Sequence, residues 1–153
     1  MIKRHTGIPL VGLIGLALLA VPRVVLHDLG LIHEGTFVNL LLVFAPPAVW
    51  VAVAVLARVP KPLLTLVIIG GCYGIFLALG HQLLWDVAWG DSPPVLGGAF
   101  ADASPAASAL LLRGGAVISS LVTGLVVGLL SGLVAWLVGR LTRPREAPEG
   151  PAR

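Results

Sequence analysis

Six histidine and acidic side chains, of the kind that bind metals and transfer protons, fall in two stretches of the sequence. They are His27, Asp28, His33, Glu34, Asp86 and Asp91. Imidazole and carboxylate groups together suit a divalent metal such as zinc. Their spacing matches no ligand motif such as H-E-x-x-H. Loops that join membrane helices commonly carry such residues because these loops are exposed to water. We therefore predict no metal site, keeping metal binding, and haem held between His27 and His81, as minor alternatives.

A second group of polar residues lies inside apolar segments. Arg23 follows Gly12 by eleven positions and His81 follows Gly70 by eleven, so each returns to the same helical face after about three turns. Ionisable groups at membrane depth usually face a bundle interior or a wet cavity. We predict that Arg23 and His81 belong to one buried polar layer, in which Asn39 and Ser120 are available to complete their hydrogen bonds. Its members are Arg23, Asn39, His81, Ser119 and Ser120. The structural alternative is that Arg23 snorkels to the headgroups and His81 makes one interhelical hydrogen bond.

Small residues recur every fourth position along two of the apolar segments. The predicted packing face comprises Gly70, Gly74 and Ala78 in one segment and Gly124, Gly128, Ser131 and Gly132 in the other, and Gly12 and Gly15 recur in the first segment. Such faces let helix backbones approach closely, since lipid supplies no hydrophobic drive between helices. We interpret them as packing within one bundle. Homo-oligomerisation through the last helix is the alternative.

The sequence contains none of the common catalytic or nucleotide-binding motifs. It has no P-loop, no G-x-G-x-x-G, no G-x-S-x-G and no H-E-x-x-H. The one cysteine, Cys72, excludes an intramolecular disulfide and a C-x-x-C motif, and we interpret it as apolar filler. The sequence therefore predicts no catalytic residues and no cofactor.

Composition indicates which elements must position these side chains. The 153 residues are 58% hydrophobic and 11% charged, with a mean hydropathy of +1.02, against about 45–50% and about 25% in soluble domains. The apolar segments span approximately residues 7–27, 37–57, 63–85 and 114–139, and about 20 residues cross a bilayer as a helix. The alternating pattern of barrel strands is absent. We predict an all-α, integral-membrane bundle of four transmembrane helices over residues 1–143. Residues 144–153, rich in proline and charge, are predicted to form a disordered tail.

The basic residues predict the orientation. Of the ten, only Arg23 and Arg113 fall on the side of the two acidic loops. The other eight share the opposite side, namely Lys3, Arg4, Arg58, Lys61, Arg140, Arg143, Arg145 and Arg153. By the positive-inside rule, both termini are cytoplasmic in a multi-pass protein of the cell (plasma) membrane. Removal of the first helix as a signal peptide is the alternative. The basic residues form no stripe with aromatics, so nucleic acid is not an expected partner.

These features favour a small polytopic membrane protein over a soluble enzyme. We expect a non-catalytic accessory or structural component whose partners are the lipid bilayer and either a second copy or another membrane protein. Two alternatives come from other functional classes: an oligomeric small-solute permeation unit, and a metal-binding protein or enzyme using the outer histidine and acidic residues. The Gly-, Ala- and Val-rich composition is typical of short membrane proteins from bacteria with GC-rich genomes.

Overall fold

The computed structural model describes residues 6–142, and within that range the chain is helical with no β-strand. A single 3₁₀ turn, Gly98–Phe100, lies in the longest connection. The α-helices are α1 (Leu10–Leu18), α2 (Val21–Asp28), α3 (Phe37–Leu56), α4 (Pro62–Leu83), α5 (Trp85–Trp89) and α6 (Pro105–Thr142).

Four segments of this range are long and apolar enough to cross a membrane. The first span is α1 with α2, the second is α3, the third is α4 and the fourth is α6. The predicted all-helical class with four membrane-compatible helices is thus confirmed. We name the two ends of the bundle by residues found there, the Asp28 end and the Arg58 end. The predicted tail, residues 144–153, lies outside the described residues.

The α-helix that contains the predicted fourth span, residues 114–139, begins at Pro105. The Ser104 hydroxyl caps it by accepting a hydrogen bond from the Ala107 N–H at 3.3 Å, and Pro105 occupies the first turn. The helix continues through Gly114 and Gly115, because each glycine costs only about 1 kcal/mol in a helix interior. At 1.5 Å per residue its 38 residues extend about 57 Å, so the helix is longer than a bilayer core is thick.

The first span is not the single uninterrupted helix that the sequence predicted. It breaks at Leu19 and Ala20, because Pro22 has no N–H to continue the ladder. The Ala20 N–H bonds to Ala17 instead of Leu16, and the Leu16 carbonyl accepts the indole N–H of Trp50 at 2.7 Å. Trp50 is fully buried, so this bond joins the first and second spans inside the core.

The third span packs against the fourth along the small-residue face. A methyl group added at Gly128 would lie 2.5 Å from the Leu66 carbonyl oxygen and 3.0 Å from the Gly70 Cα. The obstructing atoms are backbone, which cannot rotate away. The remaining predicted members, Gly74, Ala78, Gly124, Ser131 and Gly132, are also buried. The glycine face of the fourth span is therefore covered within one chain.

The buried face of the first span differs from the predicted glycine face. It is formed by Leu13, Ala17 and Val24, whereas Gly15 has no neighbour within 4 Å of an added Cβ. Arg23 is half-buried and follows the break, next to Val24. Gly12 and Gly15 do not form a packing face, so the spacing of eleven residues from Gly12 does not place Arg23 on one.

The second span ends in a Schellman turn at the Arg58 end. The Val59 N–H bonds to the Ala54 carbonyl and the Arg58 N–H to the Val55 carbonyl. Arg58 occupies the left-handed position, with φ of 49°, where glycine is the usual residue. Val59 is buried after this turn, so the packing of the next residue holds Arg58 in its strained conformation.

Candidate functional site: a polar cavity at the Asp28 end

A cavity of about 700 Å³ lies between the first, third and fourth spans at the Asp28 end. The first and fourth spans both pack against the third but have no extended interface with each other in the part of the chain described. We call this space the Asp28 cavity. Its polar lining residues are Arg23, His27, Asp28, His81, Ser119, Ser120 and Thr123, and its apolar lining includes Leu77, Leu112, Ala116, Trp85 and Trp89.

Asp28 is the last residue of α2, and its side chain is only 5% exposed. With both imidazoles in the Nδ1–H form, His81 donates to Oδ2 at 2.7 Å and His27 donates to Oδ1 at 3.3 Å. A carboxylate at a helix C-terminus is disfavoured by the helix dipole, and its burial adds a free-energy cost of desolvation. The two imidazoles offset these penalties and occupy both carboxylate oxygens.

His81 is half-buried at the end of α4, with its side chain 32% exposed. Because Nδ1 is engaged by Asp28, Nε2 is the ring nitrogen left available to the cavity. The carboxylate fixes both the tautomer and the orientation of the ring, as an oriented histidine requires. The sequence reasoning missed this pair, because it placed Asp28 in a wet loop. A carboxylate next to the predicted end of an apolar span was the signal that pointed to it.

Arg23 bonds to another residue of the predicted polar layer. Its Nε–H donates to the Asn39 amide oxygen at 3.2 Å, and it makes no hydrogen bond to His81. Asn39 is buried near the start of α3, where the Thr36 hydroxyl caps the helix by accepting from the Asn39 N–H. The second span thereby anchors one edge of the guanidinium. The four N–H bonds on its two terminal nitrogens have no partner among residues 6–142.

The two predicted serines line the cavity on the fourth span. Ser120 is buried and donates to the Ala116 carbonyl of its own helix at 2.7 Å, whereas Ser119 is exposed. Neither hydroxyl is hydrogen-bonded to His81. A serine nucleophile is activated by a base within hydrogen-bond reach, and His81 does not take that position here.

The six histidine and acidic residues do not all converge on one point, although His27 contacts Asp28 and lies near Glu34. Asp86 pairs with Arg113 at 3.2 Å, and the Glu34 carboxylate lies 3.9 Å from His27 Nε2 but is 81% exposed. Over the described part of the chain, no group of three or more His, Cys, Asp or Glu side chains could hold a metal ion. Geometry thus gives no support to the metal alternative.

A second cavity, of about 1000 Å³, lies at the Arg58 end between the second and fourth spans. Its lining includes Arg58, Arg140 and Trp136, and the Arg140 guanidinium stacks on the Trp136 ring at 4.2 Å from the centroid. Among the described residues, no carboxylate or imidazole lines it. Of these two cavities, the Asp28 cavity is therefore the one that carries described imidazole and carboxylate groups.

Fold and site together define an all-helical chain with four membrane-compatible spans and a polar cavity at one end. In comparison with known proteins, the chain matches no family model, and no curated protein and no solved structure is significantly similar to it. Any functional conclusion therefore depends on the residues of the site.

Proposed function

We propose that this chain is a non-catalytic accessory protein of the cell membrane, and that its Asp28 cavity binds a ligand without transforming it. One observation carries the proposal. The cavity is large enough for a small molecule, since ligand pockets usually measure about 300–1,000 Å³ and combine apolar walls with a few placed polar groups. The walls of the Asp28 cavity have this composition.

The state of the reactive groups supports binding over catalysis. Both oxygens of Asp28 are engaged by imidazoles, and the Ser120 hydroxyl is engaged by its own helix. Covalent or metal-assisted chemistry on a ligand would need a free nucleophile beside a base, or a metal. Recognition needs only donors and acceptors held in fixed positions. Asp28 fixes the His81 ring, and Asn39 fixes the Arg23 guanidinium.

The proposal includes an orientation, with the Asp28 end outside the cell and both termini in the cytoplasm. Its support is the distribution of basic residues along the sequence, where eight of ten fall outside the two acidic loops and the segments next to them. In a Cys72→Ser background in intact cells, a cysteine at Ser92 should react with an impermeant thiol reagent and one at Lys61 should not. Labelling of position 61 but not 92 would invert the topology.

Native mass spectrometry of the purified protein tests the binding function. The wild-type chain released from a mild detergent should retain a co-purified small molecule, and Ala116→Trp should lose it by filling the cavity. Ile118→Trp is the matched control, because Ile118 lies two residues away, is 64% exposed and does not line the cavity. A wild-type spectrum without a bound small molecule would argue against the Asp28 cavity as a ligand site. Equal retention of that molecule by both variants would do the same.

A further inference from the structure

The guanidinium of Arg23 is the least satisfied charged group of the Asp28 cavity. It is half-buried, only its Nε–H has an acceptor, and no carboxylate within residues 6–142 lies at ion-pair distance from it. An arginine at membrane depth is costly unless acceptors surround it. The acceptors for its remaining donors must come from water or from a bound molecule.

The neighbouring carboxylate does not fill this need. Asp28 lines the same cavity, but each of its oxygens already accepts a hydrogen bond from an imidazole. Its side chain is only 5% exposed. The other titratable groups facing the cavity are His27 and His81, and the fourth span contributes only hydroxyls. Arg23 thus presents to a ligand a positive charge that has no counter-ion among the described residues.

We propose that the Asp28 cavity binds an anionic oxygen group, a phosphate or carboxylate, carried by an amphipathic molecule, with Arg23 as its anchor. A guanidinium presents parallel N–H donors that match the oxygens of either group, and such charge-assisted bonds are about twice as strong as neutral ones. Asn39 holds Nε, so the two terminal nitrogens are the ones left to contact the anion. This inference rests on the proposed function, in which the cavity is a ligand site.

The apolar lining indicates why the anion belongs to an amphipathic molecule. Leu77, Leu112 and Ala116 line the cavity together with the polar groups, and Trp85 and Trp89 lie on its wall. Tryptophans are common where one end of a site is apolar and the other is wet. A membrane lipid with an anionic headgroup and a free phosphate share the chemistry that Arg23 recognises, and they differ in whether they also use this apolar wall.

Tryptophan fluorescence of the full-length protein in a neutral maltoside detergent tests the proposal, since two tryptophans line the cavity. The protein is titrated with dihexanoylphosphatidylglycerol, with inorganic phosphate, and with uncharged dihexanoylglycerol. We expect saturable binding of the phospholipid, weakened about tenfold or more in Arg23→Gln, since one charge-assisted bond contributes about 1.5–3 kcal/mol. Arg140→Gln, at the opposite end of the bundle, should bind as the wild type does.

The three probes separate the source of the anion. Binding of the phospholipid alone assigns the site to a lipid, and equal Arg23-dependent binding of phosphate assigns it to the anion by itself. A second variant, Ser119→Glu, introduces a negative charge at an exposed position of the cavity wall, and it should abolish binding where Ser119→Gln does not. This pair keeps the test valid if Arg23→Gln does not fold.

Two results would overturn the inference. Equal affinity of the wild type, Arg23→Gln and Ser119→Glu for the phospholipid would exclude the anion contact, as would equally tight binding of dihexanoylglycerol. In those cases, loss of binding in Ala116→Trp would leave the proposed function standing without its anionic ligand. Binding that also survives in Ala116→Trp would remove both.

Discussion

Replacing Gly70 by alanine tests the backbone crossing between the third and fourth spans. The added methyl carbon would lie 2.7 Å from the Gly128 Cα, and nearer still to the Gly124 carbonyl oxygen. An ordinary contact begins near 3.4 Å, so the helices must separate by at least the 0.7 Å between these two distances. Overpacking of this kind costs about 1–3 kcal/mol.

Gly71 provides a control in the adjacent position. A methyl group there would meet only the Leu125 side chain, at 3.8 Å, which is an ordinary contact. Alanine is favoured over glycine in a helix by about 0.5–1 kcal/mol in either position. This gain cancels between the two variants, so Gly70→Ala should have the lower free energy of unfolding by about 1–3 kcal/mol.

Reversible unfolding by sodium dodecyl sulfate in mixed micelles, followed by tryptophan fluorescence, measures this difference. Trp50 is fully buried and reports on the bundle interior. The result that would refute the reasoning is equal unfolding midpoints for Gly70→Ala and Gly71→Ala. It would mean that the third and fourth spans do not cross at the small-residue face. The lining of the Asp28 cavity, which depends on that crossing, would then be wrong as well.

Two further perturbations probe the turn and the site. Arg58→Gly should raise the free energy of unfolding by about 0.5–1 kcal/mol, because relief of left-handed strain, about 1–2 kcal/mol, exceeds the loss from glycine's greater unfolded-state freedom. Arg58→Ala should give no such gain in the same denaturation assay. A gain in that variant would mean that removal of the positive charge, and not relief of backbone strain, raises the stability. A double-mutant cycle of Asp28→Asn and His81→Gln should show coupling on the order of 0.5–1.5 kcal/mol through their 2.7 Å contact. Additive losses of stability would mean that this contact contributes nothing.

Much of the architecture was predictable from local properties of the chain. Uncharged runs of about 20 residues cannot leave backbone groups unpaired in lipid, so they specify helices wherever they fold. Ser104 before Pro105 is likewise a local capping signal, and the hydroxyl does cap the fourth span. Gly114 and Gly115 weaken that helix without ending it, so the helix extends beyond both ends of the predicted span, residues 114–139. Pro22, whose missing N–H breaks the first span, is a local signal of the same kind.

The candidate site depended on contacts between residues far apart in sequence. Helical spacing placed Arg23, His81 and the two serines at a common depth, and all of them line one cavity. It did not determine which groups bond, because a partner depends on how two helices rotate about their axes and where each one bends. The break after α1 sets the direction of α2, and the tertiary structure then pairs His81 with Asp28 and Arg23 with Asn39.

The sequence by itself determined the number of spans, the faces of small residues and the polar side chains available to a site, because each follows from hydropathy and helical period. Only the tertiary structure decided that the glycine faces meet within one chain and that the carboxylate of Asp28 lies between two histidines. The physical reason is that backbone approach and charge pairing depend on distances between spans. Those distances are fixed by the packing of all four helices together, and no single segment encodes them.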